Sequence, residues 1–165
     1  MSLFQNTYFV TDDKWNHIKA EYVKVGDKLK SWDTENKEFT DVTVTELVSP
    51  VLKPACVIIT HENSCSFVLA KGFSIWEDGQ ENFVARHPDI SSKDYGNTAG
   101  PWTPTLPIVT ATYSEAFTAE LLFLDDCQED NSQDAYWMIN FKISGGDNIF
   151  LTPDPQRLGP ICLRL

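Results

Sequence analysis

The chain has 165 residues, 42% of them hydrophobic, and carries a formal net charge of −11. That hydrophobic content excludes disorder over the whole length, and no apolar run approaches the roughly 20 residues that a membrane-spanning helix needs. The acidic balance argues against nucleic acid and anionic membranes as partners, because neutralising phosphates requires clustered Lys and Arg, and the length predicts a single domain over residues 1–165.

Short alternating or apolar runs, bounded by turn residues, predict strands along the whole chain. The predicted strands lie at residues 8–10, 29–33, 39–48, 56–60, 65–70, 73–76, 82–85, 108–112, 120–124, 136–143 and 149–152. The pair Gly26-Asp27 predicts a bend, because glycine adopts backbone angles that other residues resist. Asp78-Gly79 and Gly145-Gly146-Asp147 predict hairpin turns, and Pro50 and Pro54 are expected to bracket a connection.

Four segments do not read as strands. Residues 91–107 are rich in Ser, Gly, Thr and Pro and predict a surface loop or a partner-binding arm. Ser114 could cap a short helical turn, residues 125–134 predict an acidic loop, and residues 153–165 predict a C-terminal tail with three prolines. The pattern as a whole predicts an all-β fold of short antiparallel strands and hairpins with little helix, arranged as a sandwich or a barrel-like sheet.

Two phrases near the N-terminus resemble the first conserved block of Hint domains, the fold shared by inteins and hedgehog autoprocessing domains. Residues 7–13, Thr-Tyr-Phe-Val-Thr-Asp-Asp, match its opening strand and turn, and residues 25–33, Val-Gly-Asp-Lys-Leu-Lys-Ser-Trp-Asp, match its Gly-Asp phrase. The turn at 76–79 with the strand at 83–85 resembles the next block, and residues 135–151 resemble the body of the last one. The resemblance implies a Hint-like horseshoe of short antiparallel strands.

The residues that would carry autoprocessing chemistry depart from the family pattern. The resemblance places Ser2 at the nucleophile position, where a hydroxyl would attack the preceding carbonyl, but only Met1 precedes it. Leu69 and Gly72 stand where the family has the threonine and histidine of its Thr-x-x-His phrase. No asparagine follows Asn148, so the terminal His-Asn pair is missing. We therefore expect Ser2 to be a vestigial nucleophile and the catalytic chemistry to be lost.

The remaining reactive side chains have ordinary interpretations. The four cysteines form no Cys-x-x-Cys pair or zinc-ligand spacing, and apolar surroundings predict free buried thiols at Cys56 and Cys162. His61 could act as a base for Cys65, but an exposed turn histidine is the simpler interpretation, and the same holds for His17 and His87. The sequence predicts no cofactor and no metal site.

Two groups are candidates for contacts with protein partners. Tyr95 and Trp102 lie in the polar segment 91–107, where loop aromatics either form interface hot spots or fold back over the core. The acidic group is expected to be a solvated loop, since it lacks the spacing of a calcium loop. Its members are Asp125, Asp126, Glu129 and Asp130.

Three functions follow from these observations. The first is a non-catalytic Hint-like module for structural or protein–protein contacts, which the resemblance associates with tailed bacteriophages as a virion component of the tail or baseplate. The second is an intein-type autoprocessing protein with Ser2 as nucleophile. The third is a β-sandwich ligand-binding protein with a pocket among Trp15, Trp32 and Trp76. A virion or cytoplasmic location is expected, because no secretory signal is visible.

Overall fold

The computed structural model describes residues 3–4, 7–60, 66–104, 106–129, 136–156 and 159–165. The described part contains fifteen strands, one α-helix and one 3-10 turn at Ala20–Tyr22. The strands up to the helix are β1 (Leu3–Phe4), β2 (Tyr8–Val10), β3 (His17–Lys19), β4 (Lys28–Asp33), β5 (Glu38–Lys53), β6 (Ala55–Thr60), β7 (Ser66–Ala70), β8 (Ile75–Glu77) and β9 (Asn82–Ala85). Helix α1 (Pro88–Tyr95) follows, and then β10 (Gly100–Pro101), β11 (Leu106–Tyr113), β12 (Phe117–Glu129), β13 (Tyr136–Ser144), β14 (Asn148–Thr152) and β15 (Ile161–Arg164).

The strands form one continuous and strongly curved sheet. Its order is β3-β2-β14-β15-β8-β11-β12-β6-β7-β1-β13-β5-β4, and β9 extends it beside β8. Every pair is antiparallel except β9 with β10. Strand β4, at one end of this order, packs back against β14 and β2 near the other end. The sheet therefore returns on itself as a horseshoe, and the prediction of an all-β fold of short antiparallel strands is confirmed.

The curved sheet encloses a main hydrophobic core and a smaller aromatic cluster. The largest fully buried side chains of the main core include Phe9, Phe67, Phe73, Leu29 and Ile58. The aromatic cluster contains Trp32, Trp76, Phe83 and Phe150, with Phe39 and Phe117 packed against it. Burying side chains of this size stabilises the fold by about 1.5–3 kcal/mol each. None of the described helices is long and apolar enough to span a membrane.

The segment predicted as a loop or arm, 91–107, is not a loop throughout, because it includes the end of a helix, a short strand and the first residues of β11. Helix α1 begins with Pro88 and ends where Gly96, at φ 67°, donates its N–H to the carbonyls of Ser91 and Ser92. Proline suits the first helical turn and glycine suits a left-handed C-cap. Strand β10 and Trp102 then continue beside β9, where the Trp102 N–H donates to the Ala85 carbonyl.

The strand pairing corrects four further predictions. Residues 153–165 are not only a tail, because β15 lies within the sheet between β14 and β8. The proposed helical turn at Ser114 is the β11–β12 hairpin turn, and residues 125–129 belong to β12 rather than to an acidic loop. Pro50 does not bracket a connection, since β5 continues through it to Lys53 with an irregularity in register between Val48 and Val51.

A buried side-chain amide joins the two arms of the horseshoe. Asn148, which is fully buried, accepts from the Trp32 N–H (2.8 Å) and donates to the Trp32 carbonyl (2.9 Å). The Ser31 hydroxyl donates to the backbone carbonyl of Asn148 at 2.6 Å and lies 2.9 Å from its side-chain Oδ1. The Cys162 thiol donates to the same Oδ1 at 3.3 Å. Since Asn148 meets both backbone groups of Trp32, it fills the place that a neighbouring strand would have.

We expect Asn148→Ala to destabilise the protein by about 2–4 kcal/mol, because it leaves the backbone N–H and carbonyl of Trp32 buried without the amide as a partner. Chemical denaturation followed by intrinsic fluorescence would measure the change. Asn36→Ala is the matched control, because Asn36 is exposed and bonds only within its own turn to Asp33. Equal losses for the two variants would contradict the bridging role of Asn148.

Candidate functional site

The two ends of the described chain approach each other across β13. Leu3 pairs with Leu69 of β7 and with Ile139 of β13. At the other end, the Arg164 N–H donates to the Ser74 carbonyl and the Leu165 N–H donates to the Asp147 carbonyl. Leu165 also lines an open cavity of about 400 Å³ together with the β13 residues 140–143. We call this region, formed by Leu3, residues 69–74, 139–143 and 164–165, the terminal cleft.

Two positions in the terminal cleft bear directly on cleavage chemistry. Leu69 is fully buried between β6 and β1 and offers no polar group. Gly72 follows in a tight turn in which the Phe73 N–H donates to the Ala70 carbonyl. A Cβ at Gly72 would lie 2.5 Å from Cε2 of Tyr95 and 3.2 Å from Cγ2 of Ile90. Helix α1 therefore occupies the space that any side chain at position 72 would need.

A cavity of about 250 Å³ lies beside Gly72, between α1 and the start of β6. Its walls combine apolar groups of Ile90 and Tyr95 with three lysines, Lys53, Lys71 and Lys93, and one carboxylate, Asp94, so lysines outnumber acidic groups there. This local positive charge contrasts with the acidic chain as a whole.

Glu129 links the end of β12 to the start of α1. Its carboxylate lies 3.5 Å from Lys71 Nζ and 2.8 Å from His87 Nε2. The charge of Lys71 and the hydrogen bond from His87 lower the pKa of the Glu129 carboxyl. The cluster connects the residue before α1 to the end of β12. Because its three side chains are partly exposed, it contributes only modestly to stability.

The aromatic candidates for partner contacts both lie against the core. Trp102 is 9% exposed and packs edge-on against Phe73 with 5.8 Å between ring centroids. Tyr95 is half-buried and packs against the main core over Gly72. The interpretation of Trp102 as an exposed interface residue is thus wrong, and the alternative, a ring that folds back over the core, is correct.

The other candidates are separated or lie outside the described residues. Asp125 and Asp126 are strand residues of β12, and Glu129 is paired as described above. His17 opens β3, with its ring 4.9 Å from that of Trp15, and burial lowers the pKa of the imidazole. Ser2, His61, Cys65 and Asp130 lie outside the described residues.

The three tryptophans of the ligand-binding hypothesis belong to packed aromatic contacts. Trp32 packs against Phe39 at 5.1 Å and Phe39 against Phe117 at 4.5 Å, and Phe117 lies 6.1 Å from Trp15. The rings fill the space between these strands. The β-sandwich part of that hypothesis is also wrong, because the sheet is one curved ladder.

Cys162 is a free and fully buried thiol, as the sequence predicts. Burial, with a smaller contribution from the charge of Asp147, raises the pKa of this thiol well above its usual range. A protonated thiol is a poor nucleophile, so Cys162 does not supply reactive sulfur to the terminal cleft. Its role is to pack β15 and to donate to Asn148.

Comparison with known proteins identifies the architecture. No protein-family model matches the chain, and no curated protein matches it significantly. A bacterial intein-like domain from Clostridium thermocellum superposes with a TM-score of 0.69 at 13% identity, covering 99% of this chain and 98% of that one. The DnaX mini intein from Spirulina platensis gives 0.69 at 10% identity over 100% of both chains, and a DnaB intein from Synechocystis gives 0.67 at 8% identity over 99% and 96%. The chain has the Hint fold of inteins. Identities this low establish the fold alone, and the Hint-like horseshoe implied by the sequence resemblance is confirmed.

The sequence does not predict two contacts that shape this Hint-fold site, the bond of Asn148 to Trp32 and the packing of Tyr95 on Gly72. In the sequence, Asn148 is only a polar residue at the start of an apolar strand, and nothing local indicates that its amide is buried and bonded to another strand. Tyr95 was recognised as a candidate, but its partner Gly72 lies 23 positions away and was noted only as a departure from the family pattern.

The contact between Gly72 and Tyr95 predicts that Gly72→Ala destabilises the protein by about 1–3 kcal/mol through overpacking. Because Gly72 does not need a left-handed backbone, the cost is steric. The Tyr95→Ala change should relieve it, so the double variant should lose less stability than the sum of the single variants. Additive losses in a double-mutant cycle of denaturation free energies would contradict the contact.

Burial of Cys162 predicts that it resists alkylation in the native protein. Iodoacetamide treatment followed by peptide mass spectrometry should leave the peptide with Cys162 unmodified, whereas the same treatment in denaturant should modify it fully. The denatured sample is the control for chemical accessibility. Rapid native labelling of Cys162 would show that β15 leaves the sheet readily.

Proposed function

We propose that this chain is a Hint-fold module that has lost cleavage chemistry and serves protein–protein contacts. The observation that carries the proposal is the packing of Tyr95 over Gly72. At the position that the sequence resemblance gives to the family's histidine, the chain has a residue without a side chain, and the space next to it is filled by a helix. General acid–base catalysis requires a titratable group within hydrogen-bond reach of the reacting amide, which Gly72 cannot supply.

The other departures point the same way. Leu69, at the position given to the threonine, contributes only apolar surface. The cysteine of the last strand, Cys162, is buried and stays protonated, and the residues that follow it are Leu163, Arg164 and Leu165. The side chain of Arg164 is engaged elsewhere, since its guanidinium donates to the Thr98 carbonyl at 3.2 Å and stacks on Phe83. A scaffold of this kind keeps its stability without the catalytic groups, because its core is apolar.

The biological setting remains a prediction. A role as a virion component, in a tail or baseplate, is suggested by the resemblance to small Hint-like proteins of tailed bacteriophages, and the acidic composition is compatible with it. Neighbouring genes that encode virion proteins would support this setting. A position within a host metabolic operon would contradict it.

Intein-type autoprocessing with Ser2 as nucleophile is the second candidate, which the shared fold favours. In that reaction the Ser2 hydroxyl would attack the preceding carbonyl and convert an amide into an ester. The two candidates differ in whether a polypeptide fused ahead of Ser2 is released.

We expect a fusion with a small folded protein placed ahead of Ser2 to remain intact in intact-mass spectrometry, with and without hydroxylamine, which cleaves an ester. The Ser2→Ala fusion is the matched control and should likewise remain intact, with only the mass difference of the substitution. A Ser2→Cys fusion provides a more reactive nucleophile and should also remain intact, because the missing acid–base groups limit the reaction. Release of the fused protein that depends on Ser2 would overturn the proposal and establish autoprocessing.

A further inference from the structure

The outer half of β5 has one paired edge and one open edge. Strand β4 accompanies β5 as far as Thr43, and the backbone of Val44 then bonds to Gly26 and Asp27. From Thr45 to Lys53, β13 is the only strand that pairs with β5 among the residues that the structure describes. An exposed strand edge of this length can accept another strand through its backbone groups.

The sequence of this open edge is a pseudo-palindrome. Read from both ends, Glu-Leu-Val-Ser and Pro-Val-Leu-Lys at residues 46–53 place opposite charges at the ends and matching aliphatic residues inside. If two copies pair antiparallel about a two-fold axis between Ser49 and Pro50, Glu46 faces Lys53 of the second copy. Leu47 then faces Leu52, and Val48 faces Val51. Such self-complementarity is what an isologous two-fold interface requires.

The fold presents the aliphatic residues of this edge outward. Cross-strand partners of Leu47 and Leu52 are Phe141 and Trp137, which are four residues apart on β13 and therefore share one face of the ribbon. This face meets the core at Phe141, which is 3% exposed, and turns to solvent at Trp137. The irregularity between Val48 and Val51 inserts one extra residue, so Leu47 and Leu52 also share that face. Leu47, Leu52 and Trp137 are 49%, 54% and 56% exposed, although a monomer gains nothing from leaving them in water.

We propose that residues 46–53 of β5 form a homodimer interface by antiparallel pairing with the same residues of a second copy. Pro50 agrees with this arrangement, because proline in a sheet is confined to edges and bulges and here falls beside the two-fold axis, where only one donor per chain is missing. The pairing closes on itself and leaves the edge unable to propagate into fibres. The inference goes beyond the proposed function and does not depend on it, since a chain with or without cleavage activity could dimerise in this way.

The test uses charge reversal at the ends of the palindrome. Wild-type protein is expected to dimerise reversibly in sedimentation-velocity experiments at physiological salt, where repulsion between the two acidic bodies is screened beyond about 8 Å. Glu46→Lys and Lys53→Glu should each raise Kd by about tenfold or more, because two cross-strand pairs change from opposite to like charges. An equimolar mixture of the two variants should recover the dimer, since both pairs are complementary again in the heterodimer.

The losses in the single variants, together with recovery in the mixture, indicate pairing of position 46 with position 53. A register that placed 46 opposite 46 and 53 opposite 53 would already hold like charges in the wild type, so neither single variant would add a like-charged pair. Leu121→Asp, at a similarly exposed leucine on β12, is the control and should leave the dimer unchanged, whereas Leu52→Asp should abolish it. Far-ultraviolet circular dichroism and melting curves would verify that each variant is folded. A wild-type chain that stays monomeric at about 0.5 mM, a dimer indifferent to Glu46→Lys and Lys53→Glu, or a mixture that stays monomeric would each overturn the proposal.

Discussion

The structure depends on the side-chain amide of Asn148 completing the hydrogen bonding of Trp32. These residues are 116 positions apart, and they join β14, near one end of the sheet order, to β4 at the other. A curved sheet that approaches itself must satisfy the backbone groups that are buried where its ends meet. A full strand ladder at this point would fix the distance between the two arms at that of neighbouring strands. One amide that bonds both groups of Trp32 closes the horseshoe while β4 and β14 remain separate strands, and the Ser31 hydroxyl and the Cys162 thiol complete its environment.

Closure of the horseshoe also determines what the terminal cleft can contain. Leu3 is held by β7 and β13, and Leu165 is held by Asp147, the residue beside Asn148. These contacts are backbone pairings, so the geometry that places both chain ends beside β13 does not depend on any catalytic group. Helix α1 illustrates the consequence, because once position 72 is glycine, the ring of Tyr95 can pack onto the turn and extend the core. A histidine placed at position 72 would meet that ring.

Local signals in the sequence predicted the hairpins well and the long-range structure poorly. Gly26-Asp27 marks a bend because Gly26 adopts a positive φ of 94°, and Asp78-Gly79 marks a turn in which a Cβ on Gly79 would meet the Glu77 carboxylate. The adjoining strands alternate with the β period. Strand β15 and the end of β12 were missed because proline-rich and acidic compositions resemble loops until their ladder partners are known. Helix α1 has a weak amphipathic pattern, and its proline start and glycine end were the available signals. The bridge through Asn148 and the contact between Gly72 and Tyr95 link distant positions, which no local rule can pair.

Although the sheet closes on itself, backbone N–H and carbonyl groups along one edge of the outer half of β5 are not paired with a strand of the described chain. A partner strand could therefore pair with β5 at this edge. Most strands of the described sheet have neighbours on both sides, so a partner that reads backbone groups must use an edge. An open edge normally threatens aggregation, and Pro50 with the neighbouring irregularity in register limits pairing to short segments on each side. Short segments provide few hydrogen bonds, so the side chains must supply the specificity. Opposite charges at Glu46 and Lys53 with Leu47 and Leu52 between them do this for a second copy of the chain, and they disfavour strands that would place a like charge or an apolar residue opposite either end.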